Sequence, residues 1–149
     1  MKSQLILIAN AGEARLLRRS SSAEPMELLA SLAHAPSRAK GSELGDERAG
    51  HASMDRRPGG VSFPPRATAK QKEHVRFADE LAQRLDRELA AGQVDRVAVF
   101  ASSPFLGELK RRLSDGARKA LRVTVDTDLT SVPLGELEGR IGAQLRAAA

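Results

Sequence analysis

The first part of the chain alternates between apolar runs and short polar breaks, a pattern that predicts β-structure. Residues 4–10 form a continuous apolar run closed by Gly12, which indicates a central strand buried on both faces. A second segment, residues 13–20, follows after a link short enough for a hairpin. Residues 26–34 are ambiguous, because their Met, Glu, Leu and Ala content favours helix whereas their position after a hairpin suits a strand. We interpret them as a third strand.

A long amphipathic helix is predicted further along the chain. Thr68 opens it with capping-box spacing to Gln71, and Gly92 supplies the glycine that ends it. Its apolar positions recur every three or four residues, so one face of the helix packs on a core. These positions are Val75, Ala78, Leu81, Ala82, Leu85 and Leu89. Residues 96–101 then form another apolar run, which predicts a buried strand.

Two shorter helices and one strand complete the pattern. Residues 102–104 (Ser-Ser-Pro) predict a helix start by N-capping, with Pro104 at the first helical position, and residues 114–116 (Ser-Asp-Gly) predict its end. Residues 122–126 alternate around two valines and predict a strand, and Pro133 opens a last helix.

The predicted order is βββαβαβα, which indicates one α/β domain over residues 1–149. Strand–helix–strand units cross over right-handed and pair in parallel, so the five-stranded sheet is mixed, with a hairpin-built half and a parallel half. This is the order of ribonuclease-H-like folds.

Residues 35–70 carry no hydrophobic period, and a compact domain rarely keeps so long a segment without structure unless it is disordered or functional. We expect residues 35–67 to be a flexible basic arm that lies against an acidic partner. Few of its side chains are large and apolar, so folding offsets little of its ordering entropy. The basic residues of this stretch, extended to the helix start, are Arg38, Lys40, Arg48, Arg56, Arg57, Arg66, Lys70 and Lys72.

Composition narrows the possible chemistry. The chain has no Cys, which excludes disulfides and thiol catalysis, and its three His are scattered, so we expect no metal site and no cofactor. The net charge of +5 is compatible with nucleic acid or a ribosomal surface as partner. The apolar run near the first residue is too short for a signal peptide or a membrane span, so cytoplasmic residence without a membrane partner is expected.

Four segments together resemble a bacterial family. They are ILIANAGEARLLRR, EHVRFADELAQRLDREL, RVAVFASSPFLGELKRRL and VTVDTDLTSVPLGEL. The chain is similar to the host-attachment proteins, a family named for a requirement in attachment to host cells. This resemblance also implies a relationship to the middle domain of archaeal and eukaryotic peptide-chain release factors. That domain carries a mobile Gly-Gly-Gln loop directly before a long basic helix. Gly59 and Gly60 match its glycines and Ser62 a serine that often follows, whereas Val61 replaces the Gln.

The substitution of Val for Gln decides between function classes. A Val side chain forms no hydrogen bond to position water, which argues against catalysis by this loop. With the net charge and the resemblance, the leading hypothesis is a non-catalytic domain that contacts the phosphate backbone of structured RNA or the ribosome through its basic Gly-Gly arm. The predicted contacts are Arg56, Arg57, Gly59, Gly60, Ser62, Arg66, Lys70, Lys72 and His74. A protein-interaction factor in attachment to hosts or surfaces, and a peptidyl-tRNA hydrolase-like activity, are the alternatives. The oligomeric state stays open.

Further candidate residues follow the predicted strands. Asn10 ends the first strand and Arg15 lies on the second. Asp126 and Asp128 follow the fifth strand, and we expect these two to lie together near the carboxyl edge of the sheet. Two-metal nuclease chemistry needs several carboxylates at such an edge. A turn and helix-start role is favoured for this Asp pair.

Overall fold

The computed structural model describes residues 2–21, 25–34 and 65–148, with side chains in the last range from 69 to 146. The expected mobility of residues 35–67 therefore concerns a segment almost entirely outside the described residues. The same holds for Arg56, Arg57, Gly59, Gly60, Ser62 and the side chain of Arg66.

Within the described ranges five strands form one mixed sheet, as the pattern predicts. They are β1 (Ser3–Ala9), β2 (Glu13–Arg19), β3 (Glu27–Ala33), β4 (Val94–Ala101) and β5 (Leu121–Asp126), in the order β3-β2-β1-β4-β5. β1 pairs antiparallel with β2 and β2 with β3, whereas β1 and β4, and β4 and β5, are parallel. The strand interpretation of residues 26–34 is confirmed.

In the described residues four helices accompany the sheet, one more than the sequence predicts there. They are α1 (Pro65–Ala90), α2 (Phe105–Arg112), α3 (Asp115–Ala120) and α4 (Leu134–Ala148). The prediction that α1 begins at Thr68 is wrong by three residues, since the helix begins at Pro65. The fixed φ angle of a proline suits the first position of a helix. The predicted end of α1 is confirmed, since Gly92 adopts a left-handed φ of 86°.

The additional helix is α3, and it begins directly after Ser114, a residue that the sequence analysis interprets as part of the end of the preceding helix. α2 ends at Arg112, and Ser114 then caps α3, its Oγ accepting a hydrogen bond of 3.0 Å from the Ala117 amide. The same hydroxyl donates to Asp86 on α1 at 2.6 Å. A cap of this kind shares its residue types with a helix stop, so the local pattern did not separate the two.

The sheet is covered on both faces, which explains the unbroken apolar run of β1. Leu5 and Leu7 pack with residues of α1, α2 and α3, whereas Ile6 and Ile8 pack with Leu137 and other residues around α4. Side chains alternate between the faces of a strand, so a strand covered on both must be apolar throughout. The arrangement leaves the carboxyl ends of parallel β1, β4 and β5 at one edge.

Candidate functional site

A cleft of about 440 Å³ opens at this carboxyl edge, between the β1–β2 turn, α1 and the start of α2. Its lining residues are Asn10, Ala11, Gly12, Glu13, His74, Ser102, Ser103, Pro104 and Phe105. The fold thus brings two predicted candidates, Asn10 and His74, to one cleft although 64 positions separate them in the sequence.

Both polar atoms of the Asn10 side-chain amide form hydrogen bonds within the protein. Its Oδ1 accepts hydrogen bonds from the backbone amides of Gly12 at 2.8 Å and Glu13 at 2.9 Å. Its Nδ2 donates to Asp128 Oδ2 and to Thr130 Oγ1, both at 3.0 Å. Asn10 therefore shapes the β1–β2 turn and ties it to the segment after β5. We call Asn10, Asp128 and Thr130 the turn network.

Asp128 is a turn residue in this network. Its Oδ1 accepts hydrogen bonds from the Thr130 backbone amide at 2.9 Å and hydroxyl at 2.6 Å. Burial raises the pKa of Asp128, but the hydrogen bonds from Thr130 and Asn10 outweigh it, and the pKa is lowered overall. The carboxylate is thus held in its charged form, as the donors around it require.

Asp126 bonds a different element from Asp128. The Ser103 hydroxyl donates to its Oδ2 at 2.5 Å and the Ser103 backbone amide to its Oδ1 at 3.1 Å. These two bonds lower the pKa of Asp126. Among the described residues, no three His, Cys, Asp or Glu side chains stand close enough to hold a metal ion.

The predicted capping role of residues 102–104 is wrong. α2 begins at Phe105 rather than Pro104, and no side chain caps it at Pro104. The Ser103 hydroxyl is engaged by Asp126, 23 residues away on β5. A contact between two strand ends thus replaces the local cap, and sequence spacing alone does not reveal it.

His74 is half-buried on α1 and lines the cleft. Burial lowers its pKa below 6.5, and the positive charge of Lys70 and the neighbouring His34 lower it further, against a smaller opposite effect of Glu108. At neutral pH the imidazole is therefore uncharged, with one N–H donor and one acceptor nitrogen. Within the described part of the chain, His74 has no hydrogen-bond partner.

Lys70 and Lys72 precede His74 on α1, and the described residues offer neither of them an ion pair. Lys70 lies four positions before His74, so it is on the same face of the helix. We call Lys70 and Lys72 the α1 cations. The neutral His74 imidazole and the Lys70 ammonium, which has no ion pair among the described residues, form an electrostatic environment that suits an anion. Lys72 lies two positions before His74 and so points from another side of the helix.

The comparison with known families gives one decisive result. The profile of a family described as "Protein required for attachment to host cells" matches residues 5–141, which is most of the chain. The chain belongs to this family. A search among curated proteins found no match.

In this host-attachment family protein, the arginines of β2 contrast with the α1 cations. Arg15 donates to the Val132 carbonyl at 2.5 Å, and Arg19 donates to Gln4 Oε1 at 3.3 Å. Arg18 donates to Gln93 at 2.5 Å and pairs with Glu27 at 2.7 Å. The guanidinium of Arg15, a predicted candidate, therefore already holds the segment after β5.

One paired histidine of the host-attachment protein was missed by the sequence analysis. His34 follows β3, and its Nε2 lies 2.8 Å from Glu73 Oε1 on α1, while its ring stacks on Phe77 with centroids 5.2 Å apart. Glu73 and Phe77 stand four residues apart on one helix face, which is the only sequence signal for this contact. It fastens the end of β3 to α1.

Two further expectations concern membrane-spanning helices and a hydrolase-like activity. In the described residues no helix has the length and apolar content required to cross a membrane. The hydrolase-like alternative depends on Gly59 and Gly60, which lie outside the described residues, and it stays a prediction together with the release-factor kinship.

Proposed function

We propose that this chain is a non-catalytic binding protein that serves attachment to host cells, the role in its family's description, by contacting the phosphate backbone of structured RNA. The observation that carries the RNA contact is the position of Lys70 one helical turn before His74, which lines the cleft. Within the described residues, Lys70 and the exposed Lys72 have no ion pair and the His74 imidazole has no hydrogen bond.

The surrounding basic residues support this choice of contact. The arginines of β2 already bond within the protein, and on α1 itself Arg76 pairs with Glu73 at 2.8 Å and Arg84 with Glu88 at 3.0 Å. Neutralising a phosphate with such residues requires breaking an existing pair. Among the residues that the structure describes, Lys70 and Lys72 have no pair to break, so a phosphate gains their full attraction.

The aromatic residues favour backbone contact over base recognition. Phe77, Phe100 and Phe105 are at most 3% exposed. In the part of the chain that the structure describes, no aromatic face is thus available to stack on an unpaired base. Double-stranded RNA, recognised mainly through its shape, phosphates and 2′-hydroxyls, fits this surface better than single strands.

A salt series tests the proposal. A fluorescently labelled RNA hairpin and, separately, purified ribosomes are titrated with the protein at several ionic strengths. We expect binding at low salt whose logarithmic affinity falls linearly with logarithmic salt concentration. A lack of binding at low salt, or an affinity that salt does not change, contradicts RNA contact. A hairpin that binds while ribosomes do not restricts the partner to free RNA.

A further inference from the structure

The strand β5 forms one edge of the sheet, and its outer side pairs with no strand among the described residues. The connection that follows it turns back across the sheet, because Asp128 and Thr130 bond Asn10 at the end of β1. This connection therefore leads away from the outer side of β5. A sheet edge that the described part of the chain leaves uncovered in this way is a template for another strand.

The backbone of β5 presents alternate residues to the outside. The Thr127 amide donates to the Ala101 carbonyl of β4 at 3.2 Å, so residues of the same parity, including Val125, face β4. The polar backbone groups of Thr124 and Asp126 consequently point outward. The irregularity in the β4–β5 register falls at Arg122 and leaves residues 123–126 regular.

The side chains of β5 are arranged almost as a palindrome around Thr124. Val123 and Val125 flank it, and an exposed cation, Arg122, and an exposed anion, Asp126, lie two residues to either side. We propose that two copies of this chain pair antiparallel through β5 about a twofold axis at Thr124. The pairing joins two sheets into one of ten strands.

Charge complementarity supports a second copy as the occupant. In the antiparallel arrangement each Arg122 stands opposite Asp126 of the other copy, Val123 stands opposite Val125, and Thr124 stands opposite itself. Opposite charges, β-branched pairs and Thr–Thr pairs are all favourable between neighbouring strands. Asp126 accepts bonds from Ser103 and keeps lone pairs for a guanidinium.

The other edge strand does not offer the same match. β3 contains one charged residue, Glu27, which is already paired with Arg18 at 2.7 Å, so two copies of β3 present no opposite charges to each other. The self-complementary edge is therefore β5.

Sedimentation velocity over a range of protein concentrations tests the dimer. We expect a species of twice the single-chain mass in the wild type and in Thr124→Val, which keeps the outward amide. Thr124→Pro removes that amide without removing a β4–β5 hydrogen bond, and should weaken dimerisation at least tenfold. A monomeric wild type at every concentration, or a dimer unchanged by Thr124→Pro, overturns the proposal.

A charge variant keeps the test decisive if the proline variant does not fold. Arg122→Glu sets two carboxylates opposite each other in the dimer and lies on the exposed surface, so the fold should persist. We expect weaker dimerisation that recovers in part as salt screens the repulsion. Arg140→Glu, the same exposed charge change on α4, is the control and should leave the dimer unchanged. Equal dimerisation of Arg122→Glu and the wild type contradicts the proposal.

Discussion

The turn network includes Asn10, which lines the cleft, and the α1 cations precede His74, which also lines it, but the two groups use their polar atoms in opposite ways. Every donor and acceptor of the Asn10 side chain is bonded inside the protein, whereas Lys70 and Lys72 have no ion pair among the described residues. The first group therefore builds the edge of the sheet, and the second is the group that we propose for a ligand. Proximity to a cleft does not by itself identify a binding residue, and unused bonding capacity is the better criterion.

The largest expected effect concerns the turn network. Asn10→Ala removes four hydrogen bonds and leaves the buried Thr130 with fewer partners, so the free energy of unfolding should fall by about 3 kcal/mol. Urea denaturation measures it. Lys70→Ala, as the matched member of the other group, should change stability by less than about 0.5 kcal/mol. Equal losses in the two variants contradict the distinction between the groups.

An intermediate effect on stability is expected at Arg15. This residue is positively charged like the α1 cations, but it forms a hydrogen bond within the protein as the turn network does. Arg15→Lys keeps the charge and loses the guanidinium that reaches the Val132 carbonyl, which should destabilise the protein by about 1 kcal/mol while RNA affinity stays constant. Thermal unfolding and RNA titration together check this. A loss of affinity without a loss of stability places Arg15 among the ligand contacts instead.

A smaller effect, confined to acidic solution, sharpens the account of Asp128. Its pKa is lower in the folded protein than the ordinary 3.8, so its charged form stabilises the fold above that pH, and the contribution is lost as pH falls through the folded pKa. Asp128→Asn places an amide donor opposite the Asn10 donor and should cost about 1 kcal/mol at neutral pH. The difference from wild type in urea midpoint should shrink below the folded pKa. A difference that persists unchanged there excludes the ionised carboxylate as its source.

The smallest expected effect is a proton uptake at His74. Its pKa in the free protein lies below 6.5, and a bound phosphate should raise it, so binding favours the protonated form. Affinity should therefore increase as pH falls through the pKa of the complex and level off below the pKa of the free protein. NMR titration of the imidazole with and without RNA reads both values, and His74→Gln should remove the pH dependence. An unchanged pKa in the complex places the phosphate away from His74.

The sequence predicts those parts of the molecule that depend on pattern within one element. The strands follow from apolar runs, and the β1 run in particular reflects cover on both faces. β3 shows the opposite case, since pairing with β2 decides its structure over the helix-forming content of its residues. The order of elements predicted the mixed sheet because crossover handedness leaves few topologies.

The candidate site was less accessible because its contacts join distant positions. Ser103 and Asp126, and His34 and Glu73, are 23 and 39 residues apart, and each pair meets only when strand ends and helix faces come together. Three roles are compatible with the residue types at positions 102–104 and at Ser114: a helix cap, a helix end or a long-range hydrogen bond. Local spacing gives no means to choose among these roles.

The most direct test of the central claim compares two double variants that lose the same charge. Lys70→Ala/Lys72→Ala removes the α1 cations, and Lys110→Ala/Lys119→Ala removes two exposed lysines of α2 and α3 away from the cleft. RNA affinity is measured for both across a salt series. The account predicts that the first variant loses RNA affinity and that its salt slope falls by about 2. The affinity and the salt slope of the second variant should stay close to those of the wild type. Equal losses in both variants would contradict it, because binding would then follow net charge and not the position of the α1 cations.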